Sequence, residues 1–218
     1  MISINKRLIM MASILAISCN LMAAREIDEK DFSGWMTEYS DLSIDEERNL
    51  FMYMKEEAKG KYKKILVKSV SVYATANVES SEIAQQSAEY LKSGIKEMLK
   101  GKGLLTDQPG EGVLELSLAI TGTEKSKEDI KVRNFIPVAA VFRVGQAATG
   151  KVSTYIDAMM EAEMVDSVSR NRVAAVVAKT IEESEKKSGD ELSFSDISPA
   201  LDTWLLRYEG TISELISK

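Results

Sequence analysis

Three carboxylates, Asp157, Glu161 and Glu163, lie in a segment where polar and apolar residues alternate. Alternation with a period of two is typical of a β-strand, in which neighbours two apart share a face and lie about 6.6 to 7 Å from each other. Carboxylates at that spacing can carry out acid and base catalysis on a glycoside or hold a calcium ion. A solvated sheet face gives the same pattern, and we favour that interpretation because exposed carboxylates are common and discourage edge pairing.

A second motif with the residue types for chemistry runs from Gly145 to Lys151 and matches the first seven positions of a phosphate-binding P-loop. The eighth position holds Val152 in place of the serine or threonine that binds magnesium. The residues that follow alternate as a strand, whereas a P-loop opens a helix whose N-terminus faces the phosphate. We therefore interpret the motif as a glycine-bearing turn and expect no nucleotide binding.

Histidine is absent from all 218 residues. Its absence excludes the usual Ser/His/Asp and Cys/His catalytic arrangements and nearly all zinc catalysis, because imidazole supplies the base or the ligand in those sites. The net charge is −6, which makes nucleic acid an improbable partner. The sequence therefore predicts no catalytic residue and no cofactor, and we expect a protein that is not an enzyme.

The residue with the most specific chemistry is Cys19, the one cysteine of the chain. Before it stand Lys6 and Arg7, then an apolar run from Leu8 to Ile17, which is the layout of a secretory signal and too short for a transmembrane helix. The residues Ala16-Ile17-Ser18-Cys19 resemble the lipobox of bacterial lipoproteins, whose cysteine is acylated and becomes the first residue after cleavage. The resemblance implies a lipid anchor on Cys19, which several acyl chains would make stable.

Two details of this region leave alternatives open. Ala16 stands where leucine is commonest in a lipobox, and Ala16 with Ser18 also satisfies the small-x-small pattern of an ordinary cleaved signal. Asn20 follows the cysteine, and in Gram-negative lipoproteins an aspartate there usually signals retention in the inner membrane. We therefore expect attachment to the outer membrane, facing the periplasm, with a flexible tether to about Lys30.

Two further segments carry weaker signals. A basic cluster surrounds the first predicted strand. It can face anionic lipid headgroups, or it can be the solvated margin of the strand, and the negative net charge favours the second interpretation. The segment from Phe135 to Gly150 is rich in small residues and fits a partner-contacting or membrane-contacting element, although ordinary core is the interpretation that we favour. The basic cluster consists of Lys61, Lys63, Lys64 and Lys68.

The elements that would position these residues follow from hydrophobic periodicity. Ser43 and Glu46 form a capping-box pattern that predicts a helix to about Lys59. Residues 62–73 and the segment from Val113 are predicted to be strands, and one face of the second strand is expected to be exposed to solvent. Between them we expect a crossover helix, capped at Ser80 or Ser81. The expected inner stripe of that helix is Ile83, Ser87, Tyr90, Leu91, Gly94, Ile95, Met98 and Leu99.

The second half of the chain predicts a hairpin and a terminal helix. Alternation over residues 154–164 predicts a long strand, and VAAVVAKTI after the turn DSVSRNR predicts its antiparallel partner. Ser198-Pro199 predicts the start of an amphipathic C-terminal helix. The fold class is therefore α+β, with a mixed, mainly antiparallel sheet of at least four strands packed by a central helix and the C-terminal helix.

Several segments together resemble an uncharacterised family of proteobacterial lipoproteins, the domain of unknown function thirty-three thirteen. The resemblance extends over nearly the whole mature chain and implies a lipid-anchored envelope protein, without a catalytic residue to carry over. The segments that carry it are SGWMTEYSDL, YKKILVKSVSVY, PGEGVLELSLAIT, IPVAAVF with Ala148-Thr149-Gly150, EMVDS and SDISPALDTWLLRYEG.

The sequence thus divides into a signal peptide over residues 1–18, a lipidated cysteine and tether over 19–30, and one α+β domain over 31–218. We expect a non-catalytic binding or assembly domain whose partners are the membrane, through the N-terminal lipid, and envelope proteins. The alternative is a carboxylate-based hydrolase or a calcium-binding protein that uses Asp157, Glu161 and Glu163.

Overall fold

The computed structural model describes residues 27–73, 82–121, 142–146, 154–184 and 193–216. Cys19, the leader and most of the segment from Phe135 to Gly150 therefore lie outside the described residues. No helix in the described ranges is both long enough and apolar enough to cross a lipid bilayer.

The described residues form one seven-stranded sheet with the order β1-β2-β7-β6-β4-β3, to which β5 adds by pairing with β6. Only β3 and β4 run parallel among these pairs, and the rest are antiparallel. Two long helices complete the fold, so the predicted α+β class is confirmed. The strands are β1 (Ser43–Asp45), β2 (Leu50–Met54), β3 (Lys64–Tyr73), β4 (Val113–Thr121), β5 (Phe142–Gln146), β6 (Thr154–Asp166) and β7 (Arg172–Ser184).

The predicted crossover helix is confirmed as α1 (Glu82–Gly101), which joins the parallel strands β3 and β4. Its buried residues recur at three and four positions, as an amphipathic helix requires. The helix ends where Gly103 adopts a φ of 69°, a left-handed conformation that favours glycine, and Leu104 N donates to Leu99 O at 2.8 Å. The buried stripe is Ala84, Ser87, Leu91, Ile95 and Leu99.

The predicted hairpin is confirmed by β6 and β7, which pair along almost their whole length. Asp166 closes the turn between them, because its Oδ1 accepts from Val168 N at 3.0 Å and from Ser169 N at 2.7 Å. Successive side chains of β6 face two different hydrophobic cores. Met160 and Ala162 face the helices, and Met159 lies on the other face of the sheet.

The second helix, α2 (Phe194–Ile216), packs on β6 and β7 and against α1. It begins earlier than the Ser198-Pro199 pattern predicts, so that prediction of its start is wrong. Ser193 N donates to Asp196 Oδ2 at 2.8 Å and Asp196 N donates to Ser193 O at 3.1 Å, which satisfies backbone donors five residues sooner and leaves Pro199 inside the helix.

The helix predicted from Ser43 to Lys59 is wrong, because β1 and β2 occupy most of it as a hairpin. Asp45 Oδ1 accepts from Arg48 N at 2.9 Å, and Asn49 has a φ of 52°, so the residues that would start a helix form a turn instead. Pairing of β2 with β7 then satisfies the backbone of Leu50–Met54 and places its apolar side chains on both sheet faces.

The prediction that one face of β4 is exposed to solvent is also wrong. Leu114, Leu116, Leu118 and Ile120 are fully buried against the helices, as expected. On the opposite face Ala119 and Thr121 are fully buried too, because β4 lies between β3 and β6 and this side of the sheet carries a second core.

Candidate functional site

A segment that precedes β1 covers the face of the sheet that carries the predicted acidic residues. We call residues 27–42 the N-terminal strap. It includes a short 3₁₀ helix, Glu29–Asp31, and begins where Ile27 N donates to Asn49 Oδ1 at 2.9 Å. Its apolar side chains form a second hydrophobic core with strands β2, β6 and β7. The buried members of this core are Ile27, Met36, Phe51, Met159, Ala175 and Val177.

Glu161 lies under the strap and is fully buried. Both of its carboxylate oxygens are hydrogen-bonded, since Ser33 N donates to Oε1 at 2.7 Å and the Tyr39 hydroxyl donates to Oε2 at 2.6 Å. A buried carboxylate is costly unless donors surround it, and both donors come from the strap. The strand and the strap therefore depend on each other at this point.

Tyr39 is held in place by contacts to both its ring and its hydroxyl. The hydroxyl accepts from Met36 N at 3.1 Å, and the ring stacks on Phe32 with centroids 4.6 Å apart. Phe32 in turn meets Phe51 of β2 edge-on at 5.0 Å. Burial, followed by the hydrogen bond to Glu161, raises the pKa of Tyr39 far above its usual range, so the hydroxyl remains a donor.

Glu163 has a different partner from Glu161. Arg172 binds it through Nε and Nη2, each 2.7 Å from Glu163 Oε1, and reaches the strap through Nη1, which lies 2.9 Å from Asp41 Oδ1 and donates to Glu38 O at 2.9 Å. Burial alone would lower the pKa of Arg172, but its contacts with Glu163 and Asp41 outweigh burial and raise it. This cation fixes the end of the strap to the sheet.

The prediction of a solvated acidic face is wrong at Glu161, which is fully buried. Glu161 and Glu163 are brought to one sheet face, but their oxygens are used by strap donors and by Arg172. The side chain of Asp157 lies outside the described residues. Within those residues, no group of three acidic, histidine or cysteine side chains is arranged to hold a metal ion.

The basic cluster is not a continuous cationic surface. Lys68 Nζ lies 2.9 Å from Glu115 Oε2, which Arg170 Nη1 approaches at 2.5 Å, and Lys64 Nζ donates to Gly103 O at 2.7 Å. These contacts place Lys64 and Lys68 in local ion pairs and hydrogen bonds. Lys61 and Lys63 are exposed.

The P-loop-like motif is described only at its beginning. Gly145 and Gln146 lie in β5, where they pair with Tyr155 and Thr154 of β6. The motif thus starts inside a strand, and its remaining residues to Lys151 lie outside the described residues. The expectation that no nucleotide binds here stays a prediction.

Sequence reasoning missed the strap residues that complete the site. It assigned Ile27 to Lys30 to a tether, whereas Ile27 is only 3% exposed. Ser33, Tyr39 and Asp41 carry no local pattern that points to partners more than 120 residues away. The one available signal was that Glu161 alternates with methionines and alanines, which fits a strand buried on both faces as well as an exposed one.

Comparisons with known proteins identify relatives of unknown role. The family model described as Protein of unknown function (DUF3313) matches residues 31–207. The Uncharacterized lipoprotein YdcL of Escherichia coli (strain K12) is 25% identical over 201 residues, which cover 86% of this chain and 90% of the relative. This relative agrees with the prediction of a lipoprotein.

Two solved structures are similar at low identity. The PelC dodecamer from Paraburkholderia phytofirmans aligns with a TM-score of 0.42 at 12% identity and covers 78% of this chain and 97% of that chain. A DUF4136 family protein (BT2437) from Bacteroides thetaiotaomicron aligns with a TM-score of 0.41 at 13% identity and covers 82% of this chain and 99% of that chain. Similarity at this level says nothing about function.

Proposed function

The chain belongs to the family described as Protein of unknown function (DUF3313), and from that premise we propose that it is an outer-membrane lipoprotein with a non-catalytic binding or assembly domain. The lipid is carried by Cys19, and the domain faces the periplasm. Envelope proteins and lipids are the partners, and no nucleotide, nucleic acid or cofactor takes part.

The lone cysteine supports the anchor. Cys19 stands at the one position that lipidation requires, behind an apolar leader, and a relative that matches most of the chain is a lipoprotein. Asn20 supports the outer membrane, since an aspartate at this position usually signals retention in the inner membrane.

The observation that supports a binding role over hydrolysis is the use of Glu161. A catalytic acid or base must reach substrate, whereas both oxygens of this carboxylate accept hydrogen bonds from Ser33 and Tyr39 and the side chain is fully buried. The residues best suited to acid and base chemistry thus hold the strap on the sheet. Ile27 follows Cys19 by eight residues, a length of chain that can span at most about 29 Å, so a lipid on Cys19 would keep the domain near the membrane.

The anchor is tested with Cys19→Ala in cells that express the full chain. The variant should lose radiolabelled palmitate and leave the membrane fraction, because nothing else in the proposal attaches the protein. Ser18→Ala is the matched control, since it keeps a small residue before the cysteine and should remain labelled and membrane-bound. If Cys19→Ala keeps both the label and its membrane attachment, the proposal of a lipid anchor on Cys19 is wrong.

The binding role is tested by photo-crosslinking in living cells. A photoreactive residue is placed in turn at exposed apolar positions, of which Val168 is 66% and Leu206 is 70% exposed. A specific adduct with one envelope protein from one of these faces is the expected result. Enzymatic turnover of a glycoside that Glu161→Gln abolishes would favour the hydrolase instead.

A further inference from the structure

Strand β3 forms one edge of the sheet, because in the described strand order only β4 lies beside it. The first part of this edge is covered by a short parallel bridge. Ile65 N donates to Leu104 O at 2.8 Å, and Thr106 N donates to Ile65 O at 3.1 Å. Beyond this bridge the described ranges of the chain place no further strand on the outer side of β3. The rest of the edge is therefore open in the part of the chain that the structure describes.

The open part of the edge presents the backbone of three valines. Successive residues of a strand alternate both in the face that their side chain takes and in the edge to which their N–H and C=O groups point. Ile65 faces the helix-side core and directs its backbone groups outward, and Val67, Val70 and Val72 share that core. Their N–H and C=O groups therefore point outward too, and none of them bonds to backbone outside β3 within the described residues. Such a row is a template for another strand.

Lys68 limits where a strand can be added. The register with β4 skips Lys68 between Val67 and Ser69, as at a β-bulge, and its Nζ lies 2.9 Å from Glu115 Oε2. Bulges and lysines are devices that keep edge strands from pairing. From Ser69 to Val72 the chain has neither a charged residue nor a shift in register. Pairing is thus disfavoured at Lys68 and permitted beyond it.

The permitted stretch is complementary to itself. In an antiparallel pair, two residues that point towards each other's strand lie opposite one another and exchange two hydrogen bonds. If a twofold axis passes through Ser71, Val70 of each copy lies opposite Val72 of the other, so every outward residue of the stretch is paired. An axis at Val70 or at Val72 leaves only one such pair within the stretch. In the favoured register the valines are β-branched cross-strand neighbours, and the two Ser71 hydroxyls meet on the opposite face.

We propose that β3 binds β3 of a second copy of this chain in an antiparallel pair centred on Ser71, which joins the two sheets. Charge permits a copy at this place, because the two Lys68 residues lie about 20 Å apart in that register. A foreign strand would have to match the stretch, whereas a copy brings the match itself. The inference rests on the proposed anchor and assembly role and names the partner.

The lipid anchor assists this contact. A single strand edge is small beside the about 1,200 to 2,000 Å² that stable complexes bury. Ile27 follows Cys19 by only eight residues, so anchored copies share one membrane surface and their effective concentration is high. We therefore expect the pair to form on membranes.

Disulfide trapping in washed membranes tests the contact with the full-length protein. Cys19 is the one cysteine of the chain, so Ser71→Cys adds a single thiol. Its counterpart in the other copy would lie directly opposite, at a Cα–Cα separation of about 4.5 Å, which a disulfide can span. Ser71→Cys should therefore give a dimer on a non-reducing gel after mild oxidation, and a reductant should remove it. Wild type should give no dimer, because its cysteine carries lipid.

Ser69→Cys is the matched control, two residues away on the same strand. In the proposed register the Cα atoms of the two Ser69 residues lie about 14 Å apart, beyond the reach of a disulfide. The dimer yield of Ser69→Cys should therefore be about tenfold lower than that of Ser71→Cys.

A second measurement does not depend on an added thiol. Energy transfer between donor-labelled and acceptor-labelled copies in lipid vesicles reports the dimer fraction. Ser71→Lys places like charges opposite each other and should reduce the dimer fraction about tenfold. Ser93→Lys, at an exposed position of α1, adds the same charge away from the edge and should leave the dimer fraction unchanged.

Equal dimer yields from Ser71→Cys and Ser69→Cys, or no dimer from either, would overturn the proposal. A disulfide between Ser71→Cys and a different protein would overturn it as well. Palmitate labelling of the same samples reads the anchor independently. Palmitate without the dimer would contradict the pairing and leave the lipoprotein standing, whereas a dimer that needs Ser71→Cys but forms without palmitate would contradict the lipoprotein and leave the β3 contact standing.

Discussion

Glu161 shows how a residue type suited to catalysis can serve architecture instead. An isolated carboxylate inside a protein loses its hydration, and only charge-assisted hydrogen bonds compensate for that loss. Ser33 and Tyr39 supply these bonds from the strap, and without the carboxylate each of the two would lose this acceptor. The three groups therefore form one interdependent unit.

Removing the carboxylate should destabilise this unit more than a typical surface change. Glu161→Ala should lower the free energy of unfolding by about 3 kcal/mol, because the buried Ser33 amide and the half-buried Tyr39 hydroxyl lose their acceptor. Glu161→Gln keeps one carbonyl acceptor and should cost less. Urea unfolding measures both values.

The control for this prediction is Glu97→Ala, at an exposed position on α1. It should change the free energy of unfolding by no more than about 0.5 kcal/mol. An effect of Glu161→Ala as small as that of the control would show that Glu161 does not hold the strap.

Glu115 makes the stability of the protein depend on pH. Its hydrogen bonds with Arg170 and then Lys68 hold the pKa of Glu115 below its ordinary value of 4.5. A carboxyl whose pKa is lower in the folded than in the unfolded state stabilises the fold above the ordinary value, and this contribution is lost as the pH falls through the folded pKa. The stability advantage of wild type over Glu115→Gln should therefore be largest near neutral pH and shrink below pH 4.5.

Urea unfolding of both proteins at a series of pH values measures this difference. Glu111→Gln, at an exposed position four residues before Glu115, is the control and should show a much flatter difference. A Glu115→Gln difference that stays constant down to acidic pH would contradict the role of the Arg170 and Lys68 contacts.

At the scale of elements, the contact between the two helices depends on a missing side chain. A Cβ placed on Gly94 of α1 would lie 2.6 Å from Leu205 Cδ1 of α2, so glycine permits this close approach. Gly94→Ala gains about 1 kcal/mol of helix propensity and loses about 1 to 3 kcal/mol to overpacking. The net effect should be destabilising.

Shortening Leu205 should relieve that clash. In a Leu205→Ala background, Gly94→Ala should become stabilising, and the two changes should couple by about 1 to 2 kcal/mol in a double-mutant cycle of unfolding free energies. Gly101→Ala, where an added Cβ meets no atom within 4 Å, should not couple to Leu205→Ala. Additive behaviour of Gly94→Ala and Leu205→Ala would contradict the contact.

The elements that the sequence predicted well are those with a long, regular period. Helix α1 and strand β6 repeat their apolar residues over ten or more positions, and both are confirmed, as is β7, which was predicted as the hairpin partner of β6. The prediction of a helix over residues 43–59 failed because it rested on a short local capping pattern, which the pairing of β1 and β2 with their neighbouring strands overrides. The residues of β7 that pair with β2 lie 120 to 128 positions further along the chain, so this pairing leaves no local signal.

The candidate site was less predictable than the fold. Sequence alternation placed Glu161 and Glu163 on one strand face, which is confirmed. It could not show that residues 27–42 would cover that face, because a strap without regular secondary structure has no period to detect. The wrong prediction of a solvent-exposed face for β4 has the same cause, because the sequence did not show that this side of the sheet is covered.

For the whole molecule, the strap joins the predicted anchor to the sheet. Its first described residue, Ile27, is eight positions after Cys19, and its last contacts reach Arg172 of β7. The described contacts between this segment and the sheet include those of the strap with Glu161 and Arg172.

The membrane to which the protein is sorted depends, in our proposal, on Asn20 alone. Asn20→Asp places a carboxylate directly after the lipidated cysteine and should move the protein from the outer-membrane to the inner-membrane fraction of a sucrose gradient. The fold should be unchanged, because position 20 precedes the strap and every contact described for it. Asn20→Gln keeps a neutral amide and should remain with the outer membrane. If both variants sediment with the same membrane as wild type, sorting does not depend on residue 20, and the assignment to the outer membrane loses its support.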